Sequence, residues 1–176
     1  MIIVIINKMN IVKDILDNII NYSLFFYKDE IVEEDHLEKY IIYLNKKINH
    51  NYCDLYFENI FSIKDVDDII TLEEYINRLV VNCNISNSIM IGAIIYLERL
   101  NIYINKYNIH KLLLISLLLS SKFLEDIIFN NNYWARCGGI NLKTINRLEK
   151  LFLIKIKNNL YIHTNEFYTK FNEIFI

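Results

Sequence analysis

The sequence predicts an all-helical, all-α fold. Its 176 residues include no proline and only three glycines, so few positions would interrupt a helix. Hydrophobic residues form 53% of the chain and recur at a spacing of about 3.6 residues, whereas no segment alternates convincingly as a strand would. This length and apolar content suffice for one globular core with a terminal extension. The chain is rich in isoleucine, asparagine, lysine and tyrosine, a bias that gives the run "NNN" at 130–132 little meaning by itself.

Two helices are predicted in the N-terminal part of the chain, over residues 9–27 and 31–48. The second begins with acidic residues and ends with lysines, which suits the helix dipole. Residues 49–70 are less regular and contain one possible short helix. We therefore assign residues 1–60 to an N-terminal helical extension.

A capping box predicts where the central bundle begins. In "TLEE" the Thr71 hydroxyl can accept a hydrogen bond from the Glu74 amide while the Glu74 carboxylate reaches back. The helix that follows is expected to end at about Asn82. A second helix is expected to begin after Ser86, which could cap it, and to continue to about Ile102.

The next helices indicate how the bundle packs. Gly92 and Ala93 in the second helix would allow a neighbouring helix to approach closely. The third helix, over about residues 109–125, is apolar almost all round, which indicates a helix at the centre of the bundle. Trp134 and the adjacent Tyr133 are expected to pack in the core or at its rim rather than to stack on a ligand.

Two adjacent glycines, Gly138 and Gly139, precede a well-patterned helix. A short helix, "NYWARC", is expected to end at one of them, because glycine adopts the left-handed conformation that closes a helix. Asn141 is then expected to cap a long helix, "LKTINRLEKLFLIKIKNN". A final helix is expected with Thr164 as its cap. Residues 71–157 are therefore predicted to contain five helices.

Charge and residue spacing exclude several classes of function. The formal net charge of -2 does not fit a sequence-independent nucleic-acid binder. Cys53, Cys83 and Cys137 are widely spaced, and the four histidines form no HxxxH motif, so we predict buried, reduced thiols and no metal site. No nucleophile–base pair and no glycine-rich phosphate loop is recognisable. We therefore predict neither catalysis nor a cofactor.

Neither of the two apolar runs is expected to enter a membrane. The first residues, "MIIVIINK", lack the basic region and the cleavage site of a signal peptide. The run "LLLISLLLSS" at 112–121 has about half of the roughly 20 residues that span a bilayer. We therefore expect a soluble intracellular protein of the cytoplasm, the nucleus or both.

One long stretch of the chain resembles a known family. Residues 110–153 read "HKLLLISLLLSSKFLEDIIFNNNYWARCGGINLKTINRLEKLFL", and this order and spacing are similar to those of the P-type cyclins, the subfamily named for phosphate-responsive yeast cyclins. Upstream, "EEYINRLVVNCNIS" and "IMIGAIIYLERL" resemble the first two helices of the same family. The resemblance covers roughly residues 62–170. It implies a single five-helix cyclin box over residues 61–162, with extra N-terminal helices and a C-terminal helix over residues 163–176.

The resemblance also implies a partner and a set of contact residues. Cyclins bind cyclin-dependent protein kinases and activate them by packing on the regulatory helix of the kinase. Lys122 and Glu149 match a pair that faces this helix and hydrogen-bonds its backbone. Four apolar positions are implied to lie beside the pair: Leu119, Phe123, Leu153 and Leu160. Without the resemblance, Lys122 would simply complement the helix dipole and Glu149 would be an ordinary surface acid.

Two further positions are implied to be structural. Arg78 matches an arginine of the first cyclin-box helix and Glu98 an acid of the second, and in cyclins these two pair inside the box. The family usually has aspartate at the second position, but the longer Glu98 should still reach Arg78. Asn158 stands where an aromatic interface residue is common, which would weaken or alter kinase contact. The substrate-docking patch of cell-cycle cyclins is not recognisable in "INRLVV".

Three functions are compatible with this sequence. The first is a non-enzymatic cyclin that binds and activates a cyclin-dependent kinase. The second is a cyclin-fold scaffold without kinase activation, for which Asn158 and the unfamiliar residues 1–60 leave room. The third is a nucleic-acid-binding cyclin fold, which the neutral charge balance and the single repeat disfavour. Residues 1–60 would either pack on the box or add contacts to the kinase.

Overall fold

The computed structural model describes residues 32, 34–48, 60–62 and 70–176, and the structural statements below concern those residues. They form seven α-helices and no strand, which confirms the all-α fold. In chain order the helices are α1 (Glu34–Lys47), α2 (Leu72–Cys83), α3 (Asn87–Arg99), α4 (Ile109–Leu124), α5 (Asn131–Cys137), α6 (Leu142–Lys155) and α7 (Thr164–Phe175).

Only part of the predicted N-terminal extension belongs to this description. Helix α1 confirms the helix predicted over residues 31–48, whereas the helix predicted over residues 9–27 and Cys53 lie outside the described residues. Helix α1 packs on α7 and on α2. Its buried side chains are Tyr40, Tyr43 and Leu44. This helix of the extension therefore packs on the bundle.

Helix α4 is the centre of the bundle. Its side chains are buried without interruption from Leu112 to Ser121, and α3 lies along it in the most extensive contact between two described helices. Gly92 makes this approach possible, because a Cβ at that position would overlap the Ser120 hydroxyl. The predicted central helix and the close approach at Gly92 are both confirmed. No described helix, α4 included, combines the length and the apolarity needed to cross a membrane.

Of the four predicted N-caps, three are confirmed. The Thr71 hydroxyl accepts from the Glu74 amide at 3.2 Å and the Thr71 amide donates to the Glu74 carboxylate at 2.9 Å, so the capping box forms before α2. Ser86 caps α3, and Asn141 caps α6. The cap predicted at Thr164 is wrong, because α7 already includes that residue in its first turn.

Left-handed residues end two helices earlier than the apolar pattern predicts. Helix α6 ends at Lys155, and Lys157 and Asn158 follow with φ values of 56° and 55°. The Asn158 amide donates to the Leu153 carbonyl at 2.8 Å, which closes the helix. Helix α3 likewise ends before Asn101, whose φ is 49°. Asparagine tolerates this conformation better than most residues, so Asn158 has a local backbone role.

The two adjacent glycines at the end of α5 have different roles. Gly139 has a φ of 68°, and the Ile140 amide donates to the Ala135 carbonyl at 2.9 Å in the pattern of a Schellman motif. Gly138 lies so close to Leu114 that a Cβ would overlap that side chain. One glycine therefore supplies the left-handed turn, and the other allows close contact with α4. The predicted helix end is confirmed.

Gly139→Ala is expected to lower the free energy of unfolding by about 1–2 kcal/mol, because an L side chain is strained at this positive φ. Gly139→Asn is the matched control and should cost less, since asparagine adopts the left-handed conformation more readily. Urea unfolding followed by circular dichroism measures both variants. Equal losses would contradict a backbone origin of the effect.

Candidate functional site

Lys122 and Glu149 form an ion pair at one end of α4. Lys122 is in the last turn of α4 and Glu149 is in α6, and these two helices pack on each other. The Nζ atom of Lys122 lies 2.6 Å from Oε1 of Glu149, and the two side chains are 29% and 16% exposed. Asn131, the first residue of α5, donates from Nδ2 to the other oxygen, Oε2, at 2.6 Å. Three helices therefore meet at one carboxylate, and each of its oxygens has a donor.

Two apolar residues lie near this ion pair along the chain. Phe123 follows Lys122 directly and is 45% exposed, and Leu153 lies one helical turn after Glu149 and is half-buried. We call these four residues, Lys122, Phe123, Glu149 and Leu153, the pair surface. An exposed aromatic residue next in sequence to a partly shielded ion pair is the kind of composition found in protein–protein interfaces.

The two other predicted contact residues are less open. Leu119 lies one turn before Phe123 but is only 3% exposed, so it belongs to the core and offers little contact area of its own. Leu160 follows α6 and is half-buried, and its carbonyl accepts from the Tyr96 hydroxyl at 2.8 Å. This bond attaches Leu160 to α3. The structure thus brings Lys122 and Glu149 into contact, buries Leu119 and ties Leu160 to α3.

Three exposed apolar residues that follow α4 in the chain were not predicted. Ile127, Ile128 and Phe129 lie in the connection between α4 and α5 and are 94%, 46% and 39% exposed. Phe129 stacks on Tyr133, with 4.2 Å between the ring centroids. The signal that could have identified them is a run of three apolar residues between Asp126 and the asparagines, outside the period of either helix.

Two asparagines of the "NNN" run, Asn130 and Asn131, form specific hydrogen bonds. Asn130 caps α5 by accepting from the Tyr133 amide at 3.0 Å. Asn131 donates to Glu149 and also to Asn146, the latter at 2.8 Å. In an asparagine-rich chain the composition did not distinguish these residues, and only the place of Asn130 directly before a helix indicated a cap.

The predicted pairing of Arg78 with Glu98 is wrong. Glu98, near the end of α3, pairs instead with Lys47 of α1 at 2.9 Å and with Lys170 of α7 at 2.8 Å. Arg78 donates from Nη2 to the Arg136 carbonyl of α5 at 3.3 Å. Because α2 packs on α5 and α4, Arg78 meets α5, while α1 and α7 supply the partners of Glu98.

Glu98 is part of a network that joins α1, α3 and α7. The Tyr43 hydroxyl lies 2.9 Å from a carboxylate oxygen of Glu98 and of Glu173, and Lys170 contacts both acids. Burial alone would raise the pKa of Glu98, but the hydrogen bonds from Lys170, Lys47 and Tyr43 outweigh it, so this pKa is lowered. The hydrogen bond from Lys170 lowers the pKa of Glu173 as well.

Because of the network at Glu98, we expect part of the free energy of unfolding to be lost at acid pH. The folded-state pKa of Glu98 lies below the ordinary value of 4.5, so the unfolded chain binds the proton more tightly. The stabilisation is present above pH 4.5 and is lost as the pH falls through the folded value. We expect the difference in free energy of unfolding between wild type and Glu98→Gln, measured with urea, to shrink between about pH 7 and about pH 3. A difference that stays constant over this range would contradict the prediction.

Comparison with known proteins shows the family of the chain. The family model described as "Cyclin" matches residues 25–160. This span holds α1 to α6 and the whole pair surface. The chain therefore belongs to the cyclin family.

The relatives agree with the P-type subfamily that the sequence resembles. The chain is 36% identical over 108 residues to cyclin-U4-1 of Arabidopsis thaliana, a match that covers 58% of this chain and 54% of the relative. It is 34% identical over 109 residues to the PHO85 cyclin-like protein psl1 of Schizosaccharomyces pombe, a match that covers 58% of this chain and 44% of the relative. It is 38% identical over 98 residues to cyclin-P4-1 of Oryza sativa, covering 53% and 46%. The chain thus spans about half the length of these relatives, and the resemblance to P-type cyclins is confirmed.

Proposed function

We propose that this chain is the regulatory subunit of a cyclin-dependent protein kinase and that it activates its partner. The observation that carries the proposal is the pair surface: a preformed ion pair, partly shielded from water, beside an exposed phenylalanine in a chain of the cyclin family. The names of the relatives, which are all cyclins or cyclin-like, support the same class of partner. In this proposal the catalytic residues belong to the kinase.

The pair surface would hold the regulatory helix of the kinase by its backbone. The ammonium group of Lys122 has three donors, and the bond to Glu149 uses one of them. The carboxylate of Glu149 has about four acceptor positions, of which two are used by Lys122 and Asn131. Each group can therefore keep its present bond and add one to a kinase carbonyl or amide. Such charge-assisted bonds fix register, and Phe123 and Leu153 would supply apolar contact.

Packing on the regulatory helix would shift the kinase toward its active state. A protein kinase is active when a glutamate of that helix meets the catalytic lysine. A partner that binds this orientation better than the inactive one stabilises it by the difference in affinity. A stable interface of this kind would bury on the order of 2,000 Å². The pair surface is too small for that area, so the exposed Ile127 and Ile128 are candidates for further contacts.

The test is reconstitution with purified cyclin-dependent kinases of the same cell. Each kinase is assayed for binding and for phosphoryl transfer to a protein substrate, with and without the chain. A kinase that is both bound and stimulated supports the proposal. Binding without stimulation of any kinase would overturn activation and leave a cyclin-fold scaffold. Failure to bind any of them would overturn the kinase partner itself.

A further inference from the structure

A groove between α1 and α2 takes no part in the proposed kinase contact. It has a volume of about 460 Å³, and the apolar residues that line it within the described parts of the chain are Leu37, Ile41 and Ile42 of α1. Ile42 is 45% exposed, although it is a large aliphatic residue. No residue of the pair surface lines this groove, so a ligand bound here would leave Lys122 and Glu149 open.

The charged residues that are described as lining the α1–α2 groove are acidic. Glu34 and Glu38 line it from α1 and Glu73 lines it from α2, with no basic residue among the described lining residues. All three side chains are exposed, and none forms an ion pair within the described parts of the chain. Glu34 and Glu73 stand in first helical turns, where acids complement the helix dipole. Glu38 lies in the second turn of α1, so the dipole does not account for it.

We propose that the α1–α2 groove binds a basic, amphipathic segment of a partner protein. Apolar side chains of the segment would contact Leu37, Ile41 and Ile42, and its lysines or arginines would pair with the three carboxylates. An apolar groove with an acidic border complements such a segment in both shape and charge. The lining runs along α1 from Glu34 to Asn45. At about 1.5 Å per residue this is roughly 16 Å, the length of a helix of about eleven residues.

The two kinds of lining residue would act on different steps of binding. Exposed carboxylates attract a basic segment over a distance of about 10 Å at moderate ionic strength, so they mainly raise the association rate. Contact with the aliphatic side chains removes apolar area from water and slows dissociation. Removing a carboxylate should therefore change the salt dependence of binding, whereas removing an aliphatic side chain should not.

The test uses the full chain and a fluorescein-labelled helical peptide about twelve residues long. Its leucines are spaced three and four residues apart, and lysines flank them. Fluorescence anisotropy should show saturable binding that weakens as salt is raised from about 50 to about 300 mM. A peptide with glutamate in place of lysine, and one with serine in place of leucine, should each bind at least about tenfold more weakly.

Matched variants of the chain then locate the binding site. Glu38→Gln should weaken binding about two- to fivefold, the effect of one exposed ion pair, whereas Asp126→Asn removes an exposed acid outside the groove and should have no effect. Ile42→Ser should weaken binding about five- to tenfold, whereas Ile154→Ser, at a site on α6 that is 59% exposed, should not. Circular dichroism confirms that each variant is folded. No binding to the full chain, or equal effects within either matched pair, would overturn the proposal.

Discussion

Replacing Lys122 and Glu149 together by alanine is expected to lower affinity for the proposed partner kinase by roughly 2–5 kcal/mol, or about 30- to 4,000-fold. The two side chains already pair at 2.6 Å, so little reorganisation is needed before they bind a kinase helix. In the complex they would be shielded from water, and the variant would leave the kinase backbone groups without partners. Most of the loss is therefore expected in a faster dissociation rate.

Co-purification with kinases of the same cell measures this effect, and circular dichroism shows whether the variant is folded. Glu73→Ala/Lys46→Ala is the matched control, because it removes two exposed residues of opposite charge outside the pair surface and leaves the net charge unchanged. The control should retain the kinase that the first variant loses. Equal recovery of one kinase with wild type and both variants would show that the pair surface is not the interface.

Trp134→Ala is expected to lower the free energy of unfolding by about 3–5 kcal/mol. The indole ring of Trp134 is 0% exposed, and α5, which carries it, packs on α2, α4 and α6. Alanine would leave a cavity in the part of the core where these four helices meet, and neighbouring side chains would fill it only partly. The prediction that Trp134 packs in the core is confirmed by its burial.

Two further variants separate the cavity from other effects. Nε1 of Trp134 makes no hydrogen bond with any described group, so Trp134→Phe loses apolar area but no bond and should cost less than alanine. Val81→Ala changes a side chain that is 81% exposed and should stay within about 0.5 kcal/mol of wild type. Urea unfolding is followed by circular dichroism rather than by tryptophan fluorescence, because the chain contains one tryptophan and both Trp134 variants remove it. If alanine cost no more than phenylalanine, the indole would not be filling the core.

Local signals in the sequence were sufficient for most of the helix boundaries. The caps at Ser86 and Asn141 and the glycine turn at Gly139 depend on residues within about one helical turn, and all three are confirmed. The apolar pattern was not sufficient for the ends of α3 and α6. These helices stop where Asn101 and Lys157 adopt positive φ, a backbone choice that does not appear in the spacing of apolar residues.

Partners that are distant in the chain were harder to predict. The partner of Glu98 depends on which helices surround the end of α3, and Lys47 and Lys170 belong to helices outside the five-helix unit. The resemblance, rather than composition or periodicity, singled out Lys122 and Glu149, and the structure brings them into contact. Their proposed contact with a kinase remains a prediction.

The hydrogen bonds between α1 and α7 have a consequence for the order of folding. Lys39 donates from Nζ to the Phe175 carbonyl at 2.9 Å, across 136 positions of the chain, and Lys170 contacts the Tyr43 hydroxyl at 3.3 Å. Bringing two such distant segments together costs conformational entropy. This cost is much smaller once the five helices between them have assembled. The two end helices should therefore dock last, and their amides should lose protection together in hydrogen exchange, before those of α4. If the two end helices detach first, helices α2 to α6 would remain folded as one cooperative unit.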